Sequence, residues 1–253
     1  MRIIDAHVHF PLKSGLQVLI ESYDKVGVEK CFMCSLPRSG QENAAVEGAM
    51  NEYPDLIKGF AYVDLDVDEA EKIESFYSRG FTGIKLITPQ KSYEWEGYFA
   101  FYERIEKYKM PVILHTGIVT RGIKITEKGI TSSKMRPVYL ETIARSFPKI
   151  VLIGAHLGHP WCEEAAVVSF HNSNVYFDVS GAHTFYVAQT IQSRFGYDLK
   201  SSKLLFGTDS SPEEFQKNIN YWQMVLPQLG FKNEDLGLFF YENASKILSG
   251  TEN

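Results

Sequence analysis

Histidines and one aspartate stand where short apolar runs give way to polar sequence: His7 and His9 in IIDAHVHF, His115 after Val-Ile-Leu, His156 after Leu-Ile-Gly-Ala, and Asp209 in Phe-Gly-Thr-Asp. His7 and His9 are two residues apart, so on a β-strand their side chains leave from one face, with Cα atoms roughly 7 Å apart. Two imidazoles so spaced can converge on one cation, each at ~2.1 Å. Adding His115 and Asp209 gives three neutral nitrogens and one anionic oxygen. That shell suits one divalent ion with a coordination position left for water. Zinc is expected from the nitrogen content, with manganese or iron as alternatives decided by cellular supply. Four of the chain's seven histidines fall at such places, whereas histidines with no common task would be scattered over helices and loops.

Bringing these residues together requires strands whose ends meet. Eight apolar runs read as strands: Arg2 to His9, Lys30 to Ser35, Ile57 to Val63, Gly83 to Ile87, Val112 to His115, Ile150 to His156, Val175 to Val179 and Leu204 to Gly207. Helices fit the gaps at Gly15 to Val26, Gln41 to Tyr53, Asp68 to Arg79, Gly97 to Tyr108, Lys134 to Phe147, Glu163 to Phe170, His183 to Phe195 and Glu213 to Leu226. A closing helix is expected over Asn233 to Gly250, and Thr116 to Ser133 is long enough for an active-site loop. Eight strands, each followed by a helix, in 253 residues predict one α/β domain, a single (β/α)8 TIM barrel spanning 1–253. A doubly wound open sheet is disfavoured, because His7-Val-His9 stands where a glycine-rich phosphate loop would follow the first strand. In a barrel, the polar strand ends open on one mouth.

Composition narrows the function. With 26 Lys and Arg against 31 Asp and Glu, the net charge is −5, so a nucleic-acid partner is not expected. No apolar run approaches the ~20 residues needed to cross a bilayer, and Asp5, His7 and His9 interrupt the N-terminus as a signal peptide. A cytoplasmic protein is expected. Cys31 and Cys34 read as core residues, since positions three apart on a strand point to opposite faces. An aromatic content of 13% leaves material for a homo-oligomer interface.

Taken together, IIDAHVHF, GIKL around Lys85, ILHTG around His115, PKIVLIGAHLGHP around His156, VYFDVSG near Asp178, LLFGTDSSP around Asp209 and the late YENASKIL run the length of the chain. In that order they resemble the amidohydrolase-related metal-dependent hydrolases, in the branch containing aminocarboxymuconate semialdehyde decarboxylase. The resemblance implies that His7, His9, His115 and Asp209 bind a metal and that His156 is a nearby acid or base. With the histidine pair at residue 7, it also implies a compact barrel of metallo-dependent hydrolase type without an accessory β-sandwich. TatD-like nucleases also begin with a histidine pair, but they resemble one another in a GEIGLD-like fourth strand, where this chain has Gly83-Ile-Lys-Leu.

Lys85 ends the fourth strand. It could be carbamylated to bridge a second metal; the ammonium is preferred, because the branch resembled is mononuclear and a cation suits an anionic substrate. Asp5, by alternation, shares the face of His7 and His9 one step deeper and is expected to support the site without ligating. Arg38 and Arg136 could fork a substrate carboxylate, and His159 and Trp161 could line the pocket above the sixth strand. Two reactions fit: hydrolysis of a small carboxylated ester, lactone or amide through metal-activated water, with Asp209 or His156 moving the proton, and non-oxidative decarboxylation of a small aromatic or unsaturated acid, with His156 protonating carbon. A barrel that binds metal without catalysis is disfavoured by the open position and the extra acid or base.

Overall fold

The computed structural model describes residues 1–119, 129–181 and 183–251. Eight parallel strands, in sheet order β1 to β8, are Ile3–Val8, Val28–Cys34, Ile57–Tyr62, Gly83–Leu86, Val112–Leu114, Leu152–Gly154, Val175–Asp178 and Leu204–Leu205. The Ala6 amide donates to the Phe206 carbonyl at 2.8 Å, and the Asp209 amide to the His7 carbonyl at 2.8 Å, which returns the last strand to the first. The chain is a TIM barrel. Helices α1 to α10 are Leu16–Val26, Asn43–Glu52, Lys72–Ser78, Phe99–Lys107, Tyr139–Ser146, Cys162–His171, Thr184–Arg194, Phe215–Gln228, Asn233–Gly237 and Asn243–Ser249. Among the described residues, no helix is long and apolar enough to cross a membrane.

Strand alternation sorts the core into two layers. Ile4, Ala6, Phe32, Cys34, Phe60, Ile113, Ile153 and Leu205 fill the barrel, and Ala244, Ile247 and Leu248 of α10 plug it where β5 and β6 begin. The residues that alternate with them, such as Cys31, Met33 and Ile84, pack outward against the helices. Cys31 and Cys34 thus lie in different layers, both buried and unbridged, as strand geometry requires.

Three departures from the sequence reading have local causes. Asp5 does not share the face of His7 and His9. Asp5 pairs with Cys31 and Val8 with Met33, three residues against two, so an extra residue in β1 resets the alternation. Asp5 turns outward, accepting from Tyr23 Oη of α1 at 2.9 Å and Thr208 Oγ1 at 2.6 Å, while His7 turns in. The helix expected from Lys134 begins instead at Tyr139, because Arg136 precedes a proline and is held extended at ψ 143°. The closing helix is interrupted by a π-helical turn over Leu238–Glu242, which leaves the Phe239 carbonyl free to accept the Phe206 amide at 2.9 Å. Of the expected loop Thr116 to Ser133, residues 120–128 lie outside the described residues.

Candidate active site

His7 and His9 leave the inner face of β1 beyond the bulge, with ring centres 5.1 Å apart. Each ring has one nitrogen committed. His7 Nδ1 donates to Asp178 Oδ2 at 3.0 Å and His9 Nδ1 to the Cys34 carbonyl at 2.7 Å. Those acceptors fix the tautomers, so both Nε2 lone pairs face the barrel mouth. His9 Nε2 stands 3.4 Å from Asp209 Oδ1, and ligand atoms of His7, His9 and Asp209 all lie within 4.8 Å of one another. The donor set is two neutral imidazoles and a carboxylate, oriented by partners on their far sides, and it fits a divalent cation. Burial first, then for His9 the competing charges of Asp209 and His7, leaves His7 low at about 4 and His9 at about 3. Both stay neutral and able to ligate at neutral pH.

Two further side chains press on this group. Lys85, fully buried at the end of β4, brings Nζ to 3.1 Å from His7 Nε2. His115 follows β5 and lines the same cavity, but its Nε2 lies 3.2 Å from the Ile118 carbonyl, and it falls outside the three gathered ligands.

His156 follows β6 in a tight turn at φ 60°, with Leu157 at 44°. Thr88 after β4 and Asp209 after β8 also have positive φ, at 55° and 42°. Non-glycine residues seldom adopt this conformation, and among the described residues four of the five that do lie at this end of the barrel, Lys109 at φ 52° being the fifth, before β5. The ring of His156 is stacked 5.1 Å from His7, with Nδ1 facing the Ser180 carbonyl at 3.1 Å and hydroxyl at 2.9 Å. A carbonyl only accepts, so Nδ1 carries a proton, and Nε2 lies on the other side of the ring, 3.8 Å from Asp209 Oδ2. Asp178 joins these parts. It accepts from His7, from the His156 amide at 3.0 Å and from Ser180 Oγ at 2.5 Å. Burial alone would raise its carboxyl, but the facing His7 and His156 and these hydrogen bonds outweigh it and hold it well below the usual carboxylate range.

A cavity of about 680 Å³ opens over the group and is lined by His9, Lys85, His115, His156 and Asp209, together with Arg38 and Gln41. The other expected pocket residues lie elsewhere. Arg136 pairs with Glu164 and stands 5.4 Å from the Trp161 ring, and His159 stacks between His183 and Tyr186 at 4.2 and 5.0 Å; none of Arg136, His159 and Trp161 lines the cavity among the described residues. The sequence reading gave Asp178, Ser180 and Gln41 no role. Asp178 ends β7 and obeys the same strand-end rule that found the histidines. Ser180 and Gln41 carry no such signal, yet the buried Gln41 Oε1 faces no hydrogen-bond partner among the described residues.

A family model described as amidohydrolase matches residues 26–249, which takes in His115, His156, Asp178 and Asp209 and begins beyond His7 and His9. No curated protein matches the chain. An uncharacterized TIM-barrel protein from Bordetella bronchiseptica has a similar structure, with TM-score 0.78 and 19% identity over 100% of each chain. A 2,6-dihydroxybenzoate decarboxylase from Rhizobium gives 0.72 at 15% identity, over 98% of this chain and 99% of that one. A probable 2-pyrone-4,6-dicarboxylic acid hydrolase from Acinetobacter baumannii, with citric acid bound, gives 0.66 at 17% identity over 98% and 100%. At such identities what is shared is the fold.

Proposed function

The chain belongs to the amidohydrolase family, and on that premise we propose that it is a metal-dependent hydrolase of a small carboxylated ester, lactone or amide. His7, His9 and Asp209 would hold one divalent ion, zinc by the nitrogen content of the set, with His115 beside them; when bound, such an ion polarises a substrate oxygen and acidifies water. The chain's own residues do the rest. The observation that carries the reading is the tautomer of His156: with Nδ1–H turned to Ser180, Nε2 is free to accept a proton at the cavity. Asp209, 3.8 Å away, steadies the resulting imidazolium, which then returns the proton to the leaving group. Lys85 and Arg38 line the cavity as cations and suit an anionic substrate. Arg136, His159 and Trp161 take no part in this reading.

His156→Asn keeps a polar ring-edge mimic but no base at Nε2, so metal content is expected to hold while turnover falls ~100-fold or more. Elemental analysis beside a lactone and ester screen checks it, and unchanged turnover removes His156 from the mechanism. Decarboxylation is a second reading, favoured by one observation. The buried ammonium of Lys85, 3.1 Å from His7, would draw a substrate carboxylate against the ligand set itself. Carbon dioxide release without incorporation of oxygen from labelled water selects decarboxylation; labelled oxygen in the product acid selects hydrolysis.

A further inference from the structure

A second cavity, of about 340 Å³, lies at the opposite end of the barrel, where β5, β6 and β7 begin. Pro111, Val151, Tyr176 and Ile247 form apolar walls, and the exposed side chains of Lys109, Lys149 and Lys246 stand around them. A further ammonium, that of Lys203, sits 4.9 Å from the centre of the Tyr176 ring and donates to the carbonyls of Asn172, Ser173 and Val175. Burial first, then the charges of Lys246 and Lys200, pushes Lys203 down to about 8. No carboxylate lines the cavity among the described residues; Glu106 approaches it from α4 and accepts the Lys149 amide at 3.0 Å.

Some of this charge has a local duty. Lys246 lies in the last turn of α10 and offsets the partial negative charge of that helix end. Lys149 lies in the loop before β6 and has no such task. An apolar pocket edged by point charges, with no arginine among its lining residues to fork a phosphate, matches a compact hydrocarbon or aromatic body bearing one carboxylate. We propose that this cavity is a second ligand site, distinct from the catalytic mouth, that binds a small amphiphilic carboxylate.

Calorimetric titration of the metal-loaded full chain with octanoate tests it, comparing wild type with K149E/K246E and with R38E, which alters the catalytic cavity. Saturable binding is expected in wild type, weakened about tenfold or more in K149E/K246E because each lysine contributes a charge-assisted contact. The step weakened in K149E/K246E should persist in R38E, which removes only binding at the catalytic cavity, and 1-octanol, with the same body and no charge, should bind more weakly. Both lysines are exposed, so the double variant should stay folded and lose only the helix-end contribution of Lys246; K149Q/K246Q, with no reversal of charge, should show the same trend in binding. Absence of saturable binding in wild type, equal affinity in K149E/K246E, or loss in R38E instead would overturn the assignment.

Discussion

Lys85 and a bound cation would compete for one lone pair. Lys85 Nζ lies 3.1 Å from His7 Nε2, the atom that would ligate, and an ammonium at such range opposes a divalent ion by several kcal/mol at an effective dielectric of about 20. Lys85→Met should therefore bind the metal about tenfold more tightly or better, while losing kcat/KM on carboxylated substrates. Competition titration with a chromophoric chelator measures the first and steady-state kinetics the second. Weaker metal binding in Lys85→Met, with metal equivalents falling from two to one, would instead make Lys85 a carbamylated bridge. The pairing with His7 is visible only in three dimensions, since 78 residues separate the two.

Among the elements, the β5–α5 connection is tied down at its ends. Thr116 Oγ1 donates to the Ala155 carbonyl at 2.6 Å, the Gly117 amide to the Met135 carbonyl at 3.0 Å, and the Ile118 amide to the His159 carbonyl at 3.0 Å. Gly117 has φ 104°, and a Cβ there would meet the His159 carbonyl oxygen at 2.2 Å. Gly117→Ala should destabilise the fold by ~1–3 kcal/mol, from strained backbone and displaced carbonyl together. The shift falls on the turn that carries His156, so turnover should drop more than metal content. Chemical denaturation and elemental analysis of the variant check both; wild-type stability would show that the β6 turn can yield. Legibility also varied by element. The strands were readable because apolar runs are dictated by burial on both faces. The bulge in β1 was not, because a one-residue shift leaves composition unchanged while moving Asp5 to the other face.

Across the whole molecule, the buried histidines couple stability to pH. Burial lowers His7 to about 4 and His9 to about 3 from an ordinary 6.5, and His115 is lowered well below it, by burial first and then by His156 and Lys85. The unfolded chain therefore takes up protons before the folded one. Stability is complete above pH 6.5 and is lost as pH falls toward 4. Asp5 acts in the opposite sense, because burial raises its carboxyl to about 6 and the fold gains on its protonation, but it is one group against three. The urea midpoint of metal-stripped protein should be lower at about pH 5.5 than at about pH 7.5. Saturating zinc should raise both midpoints by mass action, since ions bind the assembled set and not the separated ligands. A flat midpoint between the two pH values would mean that the histidines are solvated in the folded chain.

What the sequence alone determined was the barrel and the candidates at its mouth: the repeat of strand and helix, the paired His7 and His9, and His115, His156 and Asp209 at strand ends. Those follow from local rules of burial and periodicity, which act over a few residues and are written in residue type. Tertiary structure alone decided which candidates meet. It gathered His7, His9 and Asp209, left His115 turned to Ile118, joined His7 to His156 through Asp178 and Ser180, and drew Arg136, His159 and Trp161 to their own neighbours. Such contacts depend on bulges, tight turns and side-chain directions whose errors accumulate around a closed sheet, and no local pattern of residue types encodes them.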